Sequence, residues 1–429
     1  MIDINLIRNN PEAVEKAILK RGIEINLKPA LKLDEEKRAL IAKIEEMRAK
    51  RNEVSAKIPA MKKAGENTDT IFAEMKELGD EIDKINIKLN EITKELDDIL
   101  LGLPNMPDED IIAGGKENNQ PIYTFGKKPE FDFEPKNHVE LCTSLGLIDY
   151  ERAAKMSGNG FWIYRGLGAQ LEWALLNFFV SEHLKDGYEF VLPPEMLNAQ
   201  CGIGSGQFPK FADEVYYVDR VGNEEGAQQF LLPTAESAMV NLYAGEIIPE
   251  EQLPFRMFAY SPCFRKEAGS YRAEERGMIR GHQFNKVEMI AYATKEQSDA
   301  MFEELVKKAQ TLVEKLGLHY QLSKLAAADI SATMSRTYDI EVWIPSMNIY
   351  KEVSSVSNGR SYQPRRSNTK YKSKDGKNEF VHMLNGSGLA TPRLIPAIVE
   401  QFQNKDGSVT IPEVLRPFMG GLEKIEPKK

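Results

Sequence analysis

The feature that most constrains this chain is a run in which apolar residues recur alternately four and three positions apart: Ile71, Met75, Leu78, Ile82, Ile85, Leu89, Ile92, Leu96 and Ile99. A repeat averaging 3.5 residues keeps one narrow stripe of a helix facing a partner, so it predicts a coiled-coil seam. Upstream, Leu40, Ile44, Met47, Val54, Ile58 and Met61 keep the same register with Arg51 at the one missing place, and Pro59 is expected to kink that helix. Between the two runs lies AGENTD, whose Gly65, Glu66 and Asn67 supply turn chemistry that folds the helices back antiparallel. Each helix of about 33 residues would be roughly 50 Å long at ~1.5 Å per residue, so the hairpin, over about 31–100, is expected to project as an arm.

The hairpin is expected to end at LLGLPNMPDED, where Pro104 and Pro107 forbid further helix. We therefore place one domain over 1–105 and a second over 106–429. In the second, strand-like runs at 190–192, 230–232, 256–260, 286–292 and 340–344 are widely spaced, and helical stretches at about 169–185, 296–316 and 393–403 intervene. Strands without strict βα alternation predict an α+β fold built on a mostly antiparallel sheet flanked by helices.

With 429 residues the chain exceeds one typical domain, and its 42% hydrophobic and 28% charged residues are those of a soluble globular protein. The first residues, MIDINLIRNNPEAVEK, have neither a basic nor an apolar segment of the secretory kind, so a cytoplasmic location is expected. Cys142, Cys201 and Cys263 lack paired spacing, which argues for reduced thiols over a disulfide or zinc framework. A net charge of -9 excludes a generally cationic nucleic-acid binder, so any RNA contact must be local. The first hairpin helix supplies a candidate: Arg38, Lys43, Arg48, Lys50, Lys57, Lys62 and Lys63 form a basic stripe on its outer faces.

No GxxxxGK[ST] loop and no GxGxxG turn is present, so a nucleotide would bind without either device. KMSG at 155–158 resembles a fragment of a class I synthetase motif, but no partner motif precedes it. HExxH and paired metal histidines are also missing. What remains is a set of segments rich in arginine, carboxylate, serine and glycine: LPTAES at 232–237, CFRKEAGSYRAEERGMIRGHQF at 263–284, NKVEM at 285–289, YKEVSSVSN at 350–358 and LNGSGLATPR at 384–393. Guanidinium suits phosphate oxygens, carboxylates suit an ammonium or Mg²⁺, and glycine lets backbone approach a ligand. Glu267 follows Arg265 by two, which on an extended strand would turn both side chains to one face.

In their order and spacing, TAE, FRKEAGS, HQFNKVEM, EVSSVSN and NGSGLA resemble the bacterial-type seryl-tRNA synthetases, a class II aminoacyl-tRNA synthetase family, and the similarity runs from the hairpin to PEVLRPFMGG. The resemblance implies activation of L-serine by ATP with Mg²⁺, transfer to tRNA(Ser), with tRNA(Sec) as a further candidate, and a homodimer. It implies that Arg265 bridges the α-phosphate and the serine carboxylate and that Arg393 reaches the triphosphate, the two being the catalytic residues. Glu267 would contact the adenine amino group and Phe284 would stack on the base. Lys266, Val353 and Ser354 would complete the ATP-binding segments, while Glu352 and Ser355 would hold Mg²⁺. Thr234 and Glu236 would hold the serine ammonium, Glu288 and Ser387 its hydroxyl, and Asn385 would join them. Arg272, Arg276 and Arg280 would serve the γ-phosphate and the tRNA end, and the basic stripe would grip the long variable arm of tRNA(Ser). The helix ending in HLKDGYEFVLPP would form the dimer interface, with Pro193 or Pro194 in it.

Several positions depart from the family pattern: Arg272–Ala273–Glu274–Glu275–Arg276–Gly277 for GRDTRG, Ala327–Ala332 for TGDMGF, Thr391 and Pro392 for the usual Val-Gly, and Val356 and Gly359 for two cysteines. These leave open an inhibitor-resistant isoform or a divergent paralogue. A ligase that charges a carrier protein should lack the full hairpin, and a non-catalytic paralogue should have lost the residues named above.

Overall fold

The computed structural model describes residues 1–65, 67–219, 228–267 and 277–427. The chain divides into two compact units, one of Ile2–Leu19 and Ile23–Pro104, the other of Met1, Lys20–Gly22 and Asn105–Lys429.

The first unit is helical. Helices α1 (Ile4–Asn9) and α2 (Pro11–Leu19) precede two long ones, α3 (Lys28–Ala64) and α4 (Asp69–Gly102). Ile7, Val14, Ile18 and Leu27 are fully buried, and the Asp34 carboxylate is buried beside Arg8 at 2.8 Å and Arg38 at 3.1 Å. The hairpin keeps its seam, since Ile44, Met47, Ile82 and Ile85 cluster with Leu40, Leu78 and Leu89. At its C-terminal end α4 buries Leu100 and leaves Ile99 half-buried. Spacing there becomes four and four, the drift of a straight 3.6-residue helix away from a strict 3.5 repeat. Helix α3 runs through Pro59 to Ala64 and closes on Gly65, whose φ of +74° is left-handed and whose N–H donates to the Lys62 carbonyl at 3.2 Å. The Asn67 side chain accepts from the Asp69 N–H at 2.8 Å, and Glu66 lies outside the described residues. All seven cations of the basic stripe are exposed. Three of them already hold partners within the unit: Arg38 with Asp34, Lys43 with Glu81 at 2.9 Å and Lys57 with Glu53 at 2.8 Å. Lys62 sits 5.3 Å from the Phe72 ring. The stripe is therefore less cationic than its lysine and arginine count suggests.

The second unit is α+β. Its main sheet has eight strands among the described residues: β1 (Gln120–Phe125), β2 (Glu189–Val191), β3 (Phe255–Phe264), β4 (Gln283–Ala293), β5 (Tyr320–Lys324), β6 (Arg336–Ile344), β7 (Ile349–Arg360) and β8 (His382–Ala390). Their order is β1-β5-β6-β7-β8-β4-β3-β2. Every pairing is antiparallel except β2 with β3. The inner strands β4, β6 and β8 show long uninterrupted runs of buried residues, which requires cover on both faces. Helices α5 (Leu167–Lys185), α6 (Ser298–Lys315) and α7 (Thr391–Gln401) supply much of the apolar core with them, through residues such as Phe179, Phe302 and Ile398.

Helix α5 is apolar around much of its girth, and most of that surface is covered. Leu171, Leu175, Phe178 and Phe179 are buried within the chain, and Leu184 with Trp173 stays exposed. The apolar girth of this helix answers to the unit's own core, so the girth alone gives no reason for a dimer. Arg21 is buried and its guanidinium donates to the carbonyls of Asn105 at 2.9 Å, Ala327 at 3.1 Å, Ile330 at 2.8 Å, Ser331 at 3.3 Å and Met334. Burial lowers its pKa to about 10. The departing segment Ala327–Ala332 is thus pinned by one cation through the carbonyls of Ala327, Ile330 and Ser331. Among the described residues no helix is long and apolar enough to cross a membrane, and all three cysteines are free.

Candidate active site

Alternation along β4 sorts its side chains. Phe284, Lys286 and Glu288 fall on one face, while Val287 and Met289 enter the core. Arg265, Glu267, Phe284, Lys286, Glu352, Val353, Ser387 and Arg393 line one open cleft, together with Ile279, Arg280, Gly281, Ala390 and Pro392.

Two bulges set this wall. Against β8 the register of β4 shifts between Lys286 and Glu288, and Glu288 pairs with Ser387. Against β6 the register of β7 shifts so that Glu341 pairs with Glu352 and Ile340 with Ser354, leaving Val353 as the extra residue. A bulge re-aims side chains, and here the consecutive residues Glu352 and Val353 both reach the cleft. Gly386 is needed for a related reason: a Cβ there would stand 2.9 Å from Val356 Cγ2. The departure at Val356 and the glycine opposite it form one fitted pair.

Arg265 follows β3 directly. Its Nε donates to the Pro233 carbonyl at 3.2 Å, and its guanidinium carbon lies 5.2 Å from the Phe284 ring centroid. Strand β3 ends at Phe264, and Glu267 has a φ of +50°. The extended geometry expected for Arg265–Glu267 is therefore not what brings them together. A left-handed residue, uncommon for a side chain other than glycine, turns the chain so that Glu267 faces the same cleft and meets Arg280 at 3.3 Å. Arg272, Ala273, Glu274, Glu275 and Arg276 lie outside the described residues.

Beside Lys286 of the cleft lining lies a polar cluster, the recess into which the expected serine would fit. Lys286, 7% exposed, pairs with the Glu288 carboxylate, 2% exposed, and donates to Thr234 Oγ1 at 2.7 Å. Thr234 Oγ1 donates to Glu288 at 3.4 Å and accepts from the Glu236 N–H at 3.3 Å. Gln363 Nε2 donates to Glu236 Oε1 at 2.7 Å. Burial first, then the Glu288 charge, raises Glu236 to about 7, against the Gln363 bond and the charges of Lys286 and Arg265.

At the other end Arg393, in the first turn of α7, donates to the Glu352 carbonyl at 2.7 Å and to its carboxylate at 3.3 Å. Burial works to raise Glu352, and Arg393 followed by Arg265 outweighs it, so the carboxyl is held below its ordinary range. An adjoining region of the cleft is lined by Arg280, Asp339, Glu341, Glu352, Ser355 and Arg393. Asp339 is buried with Oδ1 unpartnered. Burial, then Glu352, raises its pKa. Among the described residues no three His, Cys, Asp or Glu side chains form a metal cage. Glu352 and Ser355 both line this region, and their oxygens are of the donor type that a hard cation takes beside phosphate and water.

Ser354, Asn385 and Lys266, also expected in the site, belong neither to the cleft lining nor to the polar cluster around Glu288. The Ser354 hydroxyl donates to the Ser387 carbonyl at 2.6 Å. Asn385 is buried with its amide 3.9 Å from Met334 Sδ. The Lys266 ammonium lies 5.6 Å from the Tyr217 ring centroid. Conversely, Lys286 and Gln363 were not expected in the site. Lys286 was legible as the residue two before Glu288, on the same strand face; Gln363 carried no such mark.

Beneath the wall, Glu172 of α5 is 2% exposed and accepts at Oε1 from Asn285 Nδ2 and from Thr391 Oγ1, both at 2.7 Å. The departure at Thr391 thus places a hydroxyl where a buried carboxylate accepts it. Burial raises Glu172 to about 7. Pro392 follows in the first helical turn of α7, where a missing N–H costs nothing.

Comparison with known proteins is consistent from end to end. Residues 1–107 match the seryl-tRNA synthetase N-terminal domain, and residues 216–402 match the tRNA synthetase class II core domain (G, H, P, S and T). The chain is 56% identical over 422 residues to serine–tRNA ligase 2 of Clostridium acetobutylicum, covering 98% of this chain and 99% of that one. It is 44% identical over 428 residues to serine–tRNA ligase of Syntrophomonas wolfei, covering 99% of each. Its fold matches seryl-tRNA synthetase from Pyrococcus horikoshii, complexed with ATP, with a TM-score of 0.90 and 33% identity over 100% of both chains. It also matches cytoplasmic serine–tRNA ligase from Naegleria fowleri, in complex with AMP, with a TM-score of 0.86 and 27% identity over 100% of this chain and 99% of the other. The carrier-protein ligase finds no support in these relatives. With the N-terminal domain, the class II core and full-length relatives in agreement, the chain belongs to the seryl-tRNA synthetase family of class II aminoacyl-tRNA synthetases.

Proposed function

We propose that this protein is a serine–tRNA ligase that activates L-serine with ATP to seryl-adenylate and transfers the seryl group to the 3′ end of tRNA(Ser). The observation that carries the reading is the single cleft in which Arg265, Glu267, Phe284, Glu352, Ser387 and Arg393 meet. In this reading the base lies against Phe284 with its amino group toward Glu267, and Arg393 at the N-terminus of α7 faces the triphosphate, where helix dipole and guanidinium favour the same charge. Serine enters the recess with its ammonium toward Thr234 and Glu236 and its hydroxyl toward Glu288 and Ser387. Arg265 then spans the serine carboxylate and the α-phosphate. The carboxylate is already ionised, so no general base is required; the protein positions it in line and stabilises charge on the phosphorus. Mg²⁺, held by Glu352 and Ser355, would neutralise phosphate charge.

The N-terminal residues 1–105 serve tRNA binding and 106–429 catalysis, with a homodimer as the working assembly and the cytoplasm as its location. ATP–pyrophosphate exchange measured with each amino acid tests the reading. Exchange is expected with serine, and exchange confined to another amino acid sinks it. Charging of tRNA(Ser) and tRNA(Sec) transcripts then separates the two acceptors.

A further inference from the structure

The recess holds two carboxylates, Glu236 and Glu288, and two cations stand against them. Arg265 reaches the Pro233 carbonyl at its rim, and Lys286 pairs with Glu288 while donating to Thr234. Charges in such a place are felt strongly, because little water remains to screen them. A zwitterionic amino acid brings no net charge. Its carboxylate is matched by Arg265 and its ammonium by Glu236, which leaves Glu288 to be balanced by Lys286 alone.

Resting on the serine reading above, we propose that Lys286 is a specificity-determining residue: by cancelling the charge of Glu288 it tunes the recess to a neutral, hydroxyl-bearing zwitterion and against the cationic amino alcohol of the same shape. Lys286 lines the cleft as well as the recess, so it stands between the nucleotide and the amino-acid hydroxyl. Without it, Glu288 would be a buried surplus anion. Such a group either takes up a proton, which restores the balance, or stays ionised and recruits a cation; near and above neutral pH the second outcome penalises serine relative to a ligand carrying a net positive charge.

The test uses the full-length protein and serinol, which keeps the ammonium and hydroxyl of serine and replaces its carboxylate by a hydroxymethyl group. KM for serine in ATP–pyrophosphate exchange is measured beside the inhibition constant of serinol. Lys286→Met is expected to raise the serine KM by about 30-fold or more, the size of effect that follows truncation of a buried charge pair, while serinol binds as well as before or better. Lys286→Arg keeps the wild-type ratio. Glu288→Gln, which leaves Lys286 in surplus, moves the ratio the opposite way, and the charge-balanced double variant Lys286→Met/Glu288→Gln returns it toward wild type. Should Lys286→Met not fold, the single Glu288→Gln and the double variant carry the comparison. Equal weakening of serine and serinol in Lys286→Met, or a Glu288→Gln shift of the same sign, overturns the inference. Absence of serine-dependent exchange in the wild type overturns the functional reading first; exchange with an unmoved ratio overturns Lys286 alone.

Discussion

The hairpin and the sheet unit solve the same problem in opposite ways. Along α3 and α4 the buried apolar residues form a single line, with Ile85 still 8% exposed and charged residues on every other face. In the sheet, Ile340 on β6 is fully buried, and its strand is covered on both sides. A seam packs each residue against a few neighbours on the one facing helix, so damage stays local. A covered sheet joins segments far apart in the chain, so damage propagates. The lesson is modularity: exposed charge is displayed on a scaffold that tolerates polarity, while the candidate site sits on one whose residues are held from several directions.

The strongest way to break this comparison is a reciprocal pair of variants. Replacing residues 31–100 by a short Gly-Ser linker is expected to leave serine-dependent exchange in place and to abolish charging of tRNA(Ser). Arg265→Ala should reduce exchange and charging together, by ~3 kcal/mol or more in the barrier, the scale of a lost oxyanion donor. Exchange lost in a well-folded linker variant would refute the division of labour.

A smaller effect compares like with like. Ile340→Ala is expected to cost about 3–5 kcal/mol of unfolding free energy, and Ile85→Ala about 2 kcal/mol or less, because a cavity at a two-sided core site cannot collapse as readily. Chemical denaturation followed by circular dichroism reads both. Equal costs would erase the distinction between seam and sheet.

Protonation sharpens it further. Glu172 has a folded pKa of about 7 because it is buried, above the usual carboxylate value. The folded state therefore holds a proton that the unfolded state releases, and stability from this group falls as pH rises from about 4.5 to 7, then levels off. Glu172→Gln can still accept from Asn285 and Thr391 without that loss. Relative to wild type it should gain on the order of 1–3 kcal/mol above pH 7 and little near pH 4.5. Glu236 rises to about 7 for burial and its neighbour Glu288. Its ionised form is the one that receives an ammonium, so the serine KM should fall as pH rises through about 7, and Glu236→Gln should flatten that profile.

The smallest expected effect lies on the hairpin surface. Arg48→Ala or Lys50→Ala should leave stability and exchange unchanged and reduce the salt dependence of tRNA affinity by less than one phosphate contact each. Lys43→Ala and Lys57→Ala should do still less, because these lysines already pair with Glu81 and Glu53. A larger effect from the paired lysines would mean that they exchange partners on binding.

Much of this molecule is local and therefore legible. The seam follows from spacing alone, since its apolar positions recur on one stripe of each helix, and the turn is marked by Gly65, whose backbone is left-handed, and by Asn67, whose side chain accepts from the Asp69 N–H. The helix at 167–185 and the strands at 255–264, 283–293 and 336–344 extend the expected runs by a few residues. The site segments were found by composition, but two of them, EVSSVSN and LNGSGLA, are strands β7 and β8 at the centre of the sheet. Their serines, asparagines and glycines conceal this because they pack with Val356 opposite Gly386 instead of alternating polar and apolar faces. Only the tertiary structure could decide that Glu267 meets the cleft through a left-handed residue, that Ser354 turns away to Ser387, that Lys286 closes on Glu288 and Thr234, and that Thr391 reaches Glu172. Glu172 and Thr391 are 219 residues apart. Periodicity reports what a residue does to its own helix or strand; which distant group satisfies a buried charge depends on how the strands are ordered, and that order is written in no local pattern.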